Sequence, residues 1–66
     1  MDIPIPSWAK WRIGQFVRKR KGSKWRGRVV GFYSTEFNPR GYAIESYYEE
    51  DSVQVYPEAA LEDWKP

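Results

Sequence analysis

Polar and apolar residues alternate with a period of two through most of the chain after Ile13, the signature of strands whose successive side chains face opposite ways. Gln15 to Lys21 reads as a first strand in which Val17, Lys19 and Lys21 share one face. Gly22-Ser23 supplies a turn into a long second strand, Trp25 to Tyr33, with Trp25, Gly27, Val29, Gly31 and Tyr33 on one side. Glycines inside that strand predict strong curvature or the close approach of another backbone, as a small barrel requires. Asn38-Pro39-Arg40-Gly41 fits a type I turn, with Asn first, Pro second and Gly last. A third strand, Tyr42 to Tyr48, places Tyr42, Ile44, Ser46 and Tyr48 together. The acidic turn Glu49-Glu50-Asp51 leads into a fourth, Ser52 to Tyr56. Here Val53 and Val55 make one face, while Ser52, Gln54 and Tyr56 set a hydroxyl, an amide and a phenol in a row on the other. Pro57 then suits the start of a short helical turn through Leu61.

Short strands at near-regular spacing, closed by one helical turn, predict an all-β chain: a small SH3-like barrel of about five short strands over residues 13–66. Residues 1–12, with Pro4 and Pro6, are expected to form an extended, flexible leader. No repeat or low-complexity tract interrupts the chain. No apolar stretch approaches the roughly 20 residues that cross a bilayer. The first residues lack the basic and apolar regions of a signal peptide, so a cytoplasmic protein is expected.

Composition narrows the chemistry. The 66 residues allow one modest core, and such a core supplies only about 3–5 kcal/mol of net stability, so an additional constraint is expected. With no Cys and no His, disulfides, thiolate metal sites and the usual neutral-pH acid or base are absent, and no metal is expected. Oligomerisation remains. The aromatic content of 18%, including four Trp, is more than so small a barrel easily hides. The net charge is only +2, but Lys and Arg crowd between Lys10 and Arg28 while the acids gather in the last third. Such a basic half suits phosphates or carboxylates, on nucleic acid or on a small anionic ligand. A net charge this low argues against a dedicated nucleic-acid binder. There is no Gly-rich phosphate loop, and the neighbouring carboxylates Glu49, Glu50 and Asp51 read as a solvated turn. An enzyme built on this chain must work by positioning reactants and shaping electrostatics.

Between Gly14 and Leu61 the chain resembles the type II dihydrofolate reductases, small plasmid-borne enzymes associated with trimethoprim resistance. The resemblance is carried by Val17-Arg18-Lys19, Trp25, Gly27, Val30-Gly31, Tyr33, Pro39, Gly41-Tyr42-Ala43 and Glu45-Ser46. It continues through Ser52-Val53-Gln54, Tyr56-Pro57 and Ala59-Ala60-Leu61. It implies an SH3-like barrel that assembles as a homotetramer around one central pore, the single active site. NADPH and dihydrofolate would enter that pore from opposite ends, with hydride passing near its middle. It also implies roles. Lys19 lies near the pore mouth and attracts the folate glutamate tail and the cofactor phosphates. Gln54 packs around both reacting rings at the pore centre. The backbone of Val55 holds the nicotinamide carboxamide and the pterin. Ser52 and Tyr56 line the pore, and Val53 joins them in binding the cofactor; Trp25, Phe32 and Glu49 fall at subunit interfaces. Catalysis is assigned on this basis to Gln54, Tyr56 and Lys19, with no protein acid.

Some positions depart from the family pattern. Val55 replaces the more usual isoleucine, Phe32 stands for Trp, and Glu49 occupies the place of an interface His, so dissociation driven by protonating that His is not expected here. Lys21 and Lys24 make the first hairpin unusually basic. Two other readings accompany this one. One is an SH3-like binding module for nucleic acid or a protein partner. The other is a tetramer whose pore takes a different planar anion. On alternation alone, the Ser52–Gln54–Tyr56 row reads first as a solvated sheet face, since polar outer faces are the norm for antiparallel sheets.

Overall fold

The computed structural model describes residues 4–66. Five strands form one antiparallel sheet: β1 (Phe16–Lys19), β2 (Arg26–Tyr33), β3 (Gly41–Ser46), β4 (Val53–Pro57) and β5 (Leu61–Asp63), in the order β4-β3-β2-β1-β5. A single 3-10 turn, Glu58–Ala60, carries the chain from β4 across to β5, which then pairs with β1. A meander followed by a 3-10 turn and a returning strand is the SH3-like barrel expected from the alternation. The four longer strands lie where the pattern placed them, within a residue or two at most of their ends. The pattern did not single out β5. Three residues are too few to display a period, and β5 exists because Leu61 seals the core while its backbone pairs with β1.

Gly27 and the bulge in β2 supply the curvature. A Cβ at Gly27 would lie 1.8 Å from the Glu45 carbonyl oxygen, so only hydrogen fits where β2 and β3 close together. The pairing shifts register between Val29 and Gly31, and such a bulge bends the strand and raises its twist. The core that results consists of Trp11, Val17, Val29, Tyr42, Ile44 and Leu61, with Trp8, Trp25, Phe32 and Tyr56 packed against it.

Trp11 corrects the expected boundary of the leader. It lies in the region assigned to residues 1–12, yet it is 1% exposed and its indole N–H donates to Asp63 on β5. Trp8 meets Phe32 and Tyr42 edge to face at 6.2 and 5.6 Å, and Ala9 N–H closes a turn on Pro6 C=O at 3.0 Å. Trp11 is thus part of the barrel core, and Trp8 packs against it. The part of the expected leader at 1–3 lies outside the described residues.

Tyr42 locks these pieces together. Its hydroxyl accepts the Lys10 backbone N–H at 2.8 Å and donates to a Glu58 carboxylate oxygen. Burial raises the phenol above its usual 10.0, and the hydrogen bond to Glu58 raises it further. Across the sheet, Glu45 accepts two N–H groups of Arg28 at 3.1 and 2.8 Å, and its other oxygen accepts the Asp51 N–H at 3.1 Å. The Arg28 hydrogen bonds, followed by that from Asp51, hold this carboxyl below its usual 4.5. Asp51 has a φ of 63°, so the bond to Glu45 helps to hold a backbone conformation costly for a non-glycine residue.

Trp11→Ala is expected to remove about 3–5 kcal/mol, the usual cost of truncating a buried indole, which matches the whole stability of a chain this small. A Trp11→Ala chain that melts like the wild type would detach the indole from the core. The pH profile should fall at both ends. Glu45, lowered in the fold, contributes stability that is present above about 4.5 and lost as the pH falls through its folded value. Tyr42, raised in the fold, contributes stability that is complete below about 10 and lost as the pH rises through its folded value. Thermal melts across pH should show Glu45→Gln flattening the acid limb and Tyr42→Phe the alkaline one.

Candidate active site

The site grows out of β4, an edge strand that pairs with β3 alone. Tyr42 opposes Tyr56, and Ile44 opposes Gln54. Residues directly opposite in an antiparallel pair share a face, so Gln54 and Tyr56 lie on the side of the buried Tyr42 and Ile44. Val53 and Val55 take the other side and stand 48% and 57% exposed. Alternation separated the two sets correctly, but the polar row is not an outer sheet face. It forms the inner lip of the barrel, and the valines point outward. Tyr42 and Ile44 already fill the core beneath this edge. The Tyr56 ring then suffices as its apolar cover, and the phenol and amide continue to the rim.

Lys19, Trp25, Gln54 and Tyr56 meet on that lip. The Tyr56 hydroxyl donates to the Gln54 side-chain carbonyl. The Lys19 ammonium lies 4.9 Å from the centre of the Tyr56 ring, an attraction of cation and aromatic face that spans from β1 to β4. Val17 is fully buried, and Lys19, two residues on, leaves from the same face and runs its stem along the barrel end. Trp25 tilts against Tyr56 at 6.5 Å, and its buried indole N–H has no hydrogen-bond partner among the described residues. Leaving such a donor unmatched costs about 1–3 kcal/mol.

Backbone chemistry completes the lip. Ser46 N–H bonds to Ser52 C=O, and Glu58 N–H bonds to Arg40 C=O, each at 2.8 Å. Bonded and non-bonded pairs alternate along an antiparallel ladder, so the 44–54 and 42–56 pairs are the bonded ones. The N–H and C=O groups of Val53 and Val55 consequently face away from β3, along the open edge. That edge offers donors and acceptors in line beside the Gln54 amide. Such a row suits a carboxamide or a pterin-like amide edge, and the Lys19 cation suits a phosphate or carboxylate. The groups a nicotinamide cofactor needs are therefore present in type. Among the described residues, no cluster of His, Cys, Asp and Glu is placed to hold a metal ion. Nor do the described residues include a helix long and apolar enough to cross a membrane.

The remaining expected residues are placed elsewhere. Ser52 precedes β4, where its backbone continues the ladder. Phe32 stacks edge to face on Tyr42 at 5.7 Å, half-buried against the chain's own core. Glu49 lies exposed in the turn before β4, its N–H donating to the Ser46 hydroxyl. Sequence reasoning missed the direct contact of Lys19 and Trp25 with Tyr56. No local signal could have supplied it, since the contact joins the first and fourth strands through closure of the barrel.

Comparison with known proteins gives the family. Two curated proteins of Escherichia coli, each named Dihydrofolate reductase type 2, are 52% and 51% identical to the chain over 61 residues. Each alignment covers 92% of this chain and 78% of the relative. A match of residues 2–65 to the family described as R67 dihydrofolate reductase takes in nearly all of the chain, its whole barrel and every residue of the β4 lip, and the chain belongs to that family.

Proposed function

We propose that the chain reduces dihydrofolate with NADPH in a site shared by four copies, and that trimethoprim does not inhibit it. The observation that carries this reading is the open edge of β4, where the Val55 backbone lies beside Gln54 and within one barrel end of Lys19 and Tyr56. Its family membership gives the reaction, since both relatives are named as dihydrofolate reductases. We assign it to the cytoplasm, in keeping with a chain free of cysteine.

The assembly has physical support. An unpaired strand edge is a template for another chain, and on β4 it carries Val53 and Val55, about half exposed. Gln54 is exposed too in one copy. The enclosure that excludes water from a reaction must come from further copies arranged about an axis. The unmatched Trp25 indole N–H is a donor that a second copy would satisfy. Phe32 and Glu49 are assigned to the same contacts.

Reduced nicotinamide supplies the hydride when bound. The chain's own residues hold and orient. Lys19 draws the anionic ends of both ligands toward the barrel end, and its repetition by symmetry focuses positive potential there. Gln54, its carbonyl fixed by the Tyr56 hydroxyl, keeps its amide N–H groups for the reacting rings. Val55 presents backbone N–H and C=O to amide edges, and Ser52 and Val53 extend the wall. Lys19 and the Tyr56 phenol are the ionisable groups on this lip, and neither is a carboxylic acid. The proton that accompanies hydride comes from water, and rate enhancement rests on proximity.

Purified protein should oxidise NADPH in the presence of dihydrofolate at a rate unaffected by excess trimethoprim. Sedimentation equilibrium should give four times the 7.9 kDa chain mass. A monomer would end the shared-site reading, and a tetramer without turnover would end the dihydrofolate assignment. Gln54→Ala should lower kcat/KM by about 100-fold, the scale of a misplaced reactant. Lys19→Met should raise the KM of both ligands about tenfold and flatten its salt dependence. Unchanged Michaelis constants in that variant would remove Lys19 from the site.

A further inference from the structure

A shallow hollow of about 210 Å³ lies between the tip of the β1–β2 hairpin and β5. Six cations line it: Arg18, Lys19, Arg20, Lys21, Lys24 and Arg26. Its one acid, Glu62, is held by the Arg18 guanidinium at 2.6 Å. The positive charge gathered here is therefore largely unopposed locally, even though the chain as a whole carries only +2. Gly22 makes the turn with a φ of +85°, and Lys21 and Lys24 stand exposed on either side of it.

Lys19 joins this hollow to the catalytic lip. Its ammonium is 4.9 Å from the Tyr56 ring centre and 3.7 Å from where a Cβ on Gly22 would stand. An anion held by Lys19 thus has the Gln54–Tyr56 rim on one side and the hairpin cations on the other. Lysines on flexible stems act as separate point charges, suited to carboxylates strung along a flexible chain rather than to one planar group. The hollow is poor in what single-stranded nucleic acid requires, namely free aromatic faces beside the cations. Trp25 is half-buried against Tyr56, Arg26 is engaged over Trp64 at 5.1 Å, and the exposed rings of Tyr47 and Tyr48 are not part of this lining.

We propose that the hairpin hollow binds the second and later glutamates of a poly-γ-glutamyl dihydrofolate, making polyglutamylated folate the preferred substrate class. This rests on the dihydrofolate reading above. The first glutamate meets Lys19, and the following carboxylates pass to Lys21 and Lys24. Arg20 and Arg26 border the path. Each contact is exposed and weak alone. Several on one tethered chain add up, and all are screened together, since the Debye length is about 8 Å at physiological ionic strength.

The test compares dihydropteroyl monoglutamate and pentaglutamate as substrates of the wild type and of a Lys21→Ala/Lys24→Ala variant, at low and high ionic strength. At low salt the wild-type KM for the pentaglutamate should be about tenfold below that for the monoglutamate, as a few exposed ion pairs give together. The two values should converge at high salt, and in the double variant they should converge at low salt as well. Monoglutamate kcat and KM should not change in that variant. The wild-type salt series needs no variant and stands even if the double replacement disturbs folding. Equal KM values in the wild type, with monoglutamate turnover intact, would overturn the tail site and leave the reductase reading standing. Absence of turnover with both substrates would remove that reading and this one with it. Impaired monoglutamate turnover in the variant would overturn the assignment by moving the two lysines into the reaction site. Salt-dependent binding of single-stranded oligonucleotide, lost in the variant while the KM values stay equal, would give the hollow to nucleic acid instead.

Discussion

Tyr42 is the side chain on which the rest of this barrel depends. Its ring is wholly buried and meets Trp11, Trp8 and Phe32 edge to face at 5.1, 5.6 and 5.7 Å. Its hydroxyl accepts the Lys10 N–H and donates a hydrogen bond to Glu58. One residue thus fastens the N-terminal segment, the middle of the sheet and the 3-10 turn. Edge-to-face pairs contribute roughly 0.5–1.5 kcal/mol each beyond the area they bury, a large share of what a core this size provides. Tyr42 also sits opposite Tyr56 in the β3–β4 ladder, so the residue that closes the core also sets the register of the candidate active site.

That register makes the proposed function a property of an edge. The strand that carries Gln54 and Val55 has one neighbour, and half of its backbone groups point away from it. Edges of this kind are usually blunted by charge or proline. Here Pro57 ends the strand, while Val53 and Val55 leave its middle apolar and open. A chain without histidine or cysteine, and with no buried carboxylate among its described residues, has little acid–base chemistry to offer. What it offers is a fixed row of amide groups, a phenol tied to a glutamine and a lysine held over an aromatic face. On the proposed function those groups bind and align, which is what hydride transfer between two ligands requires of a protein.

The charge pattern follows the same geography. Acids and bases pair across the outer sheet surface, Arg28 with Glu45 and Arg18 with Glu62. The hairpin tip keeps its lysines unopposed. A net charge of +2 therefore conceals a local field, and that field borders the β4 lip rather than the far side of the barrel.

Alternation in the sequence already carried the strands, the tight approach at Gly27 and the separation of Ser52, Gln54 and Tyr56 from Val53 and Val55. These are local matters, written in a period of two and in residues that only certain backbones accept. Family resemblance placed Lys19, Gln54 and Tyr56 together in function, and the fold brings them within contact. Only the tertiary structure decided which way the two faces of β4 turn, because direction depends on what already fills the core, and Tyr42 and Ile44 had filled it. It likewise decided that Trp8 and Trp11 belong to the barrel, that three residues at Leu61 form a strand, and that Lys19 lies over Tyr56. Each of these joins residues far apart in the chain, and contacts made by closure of a sheet leave no periodic trace in either segment.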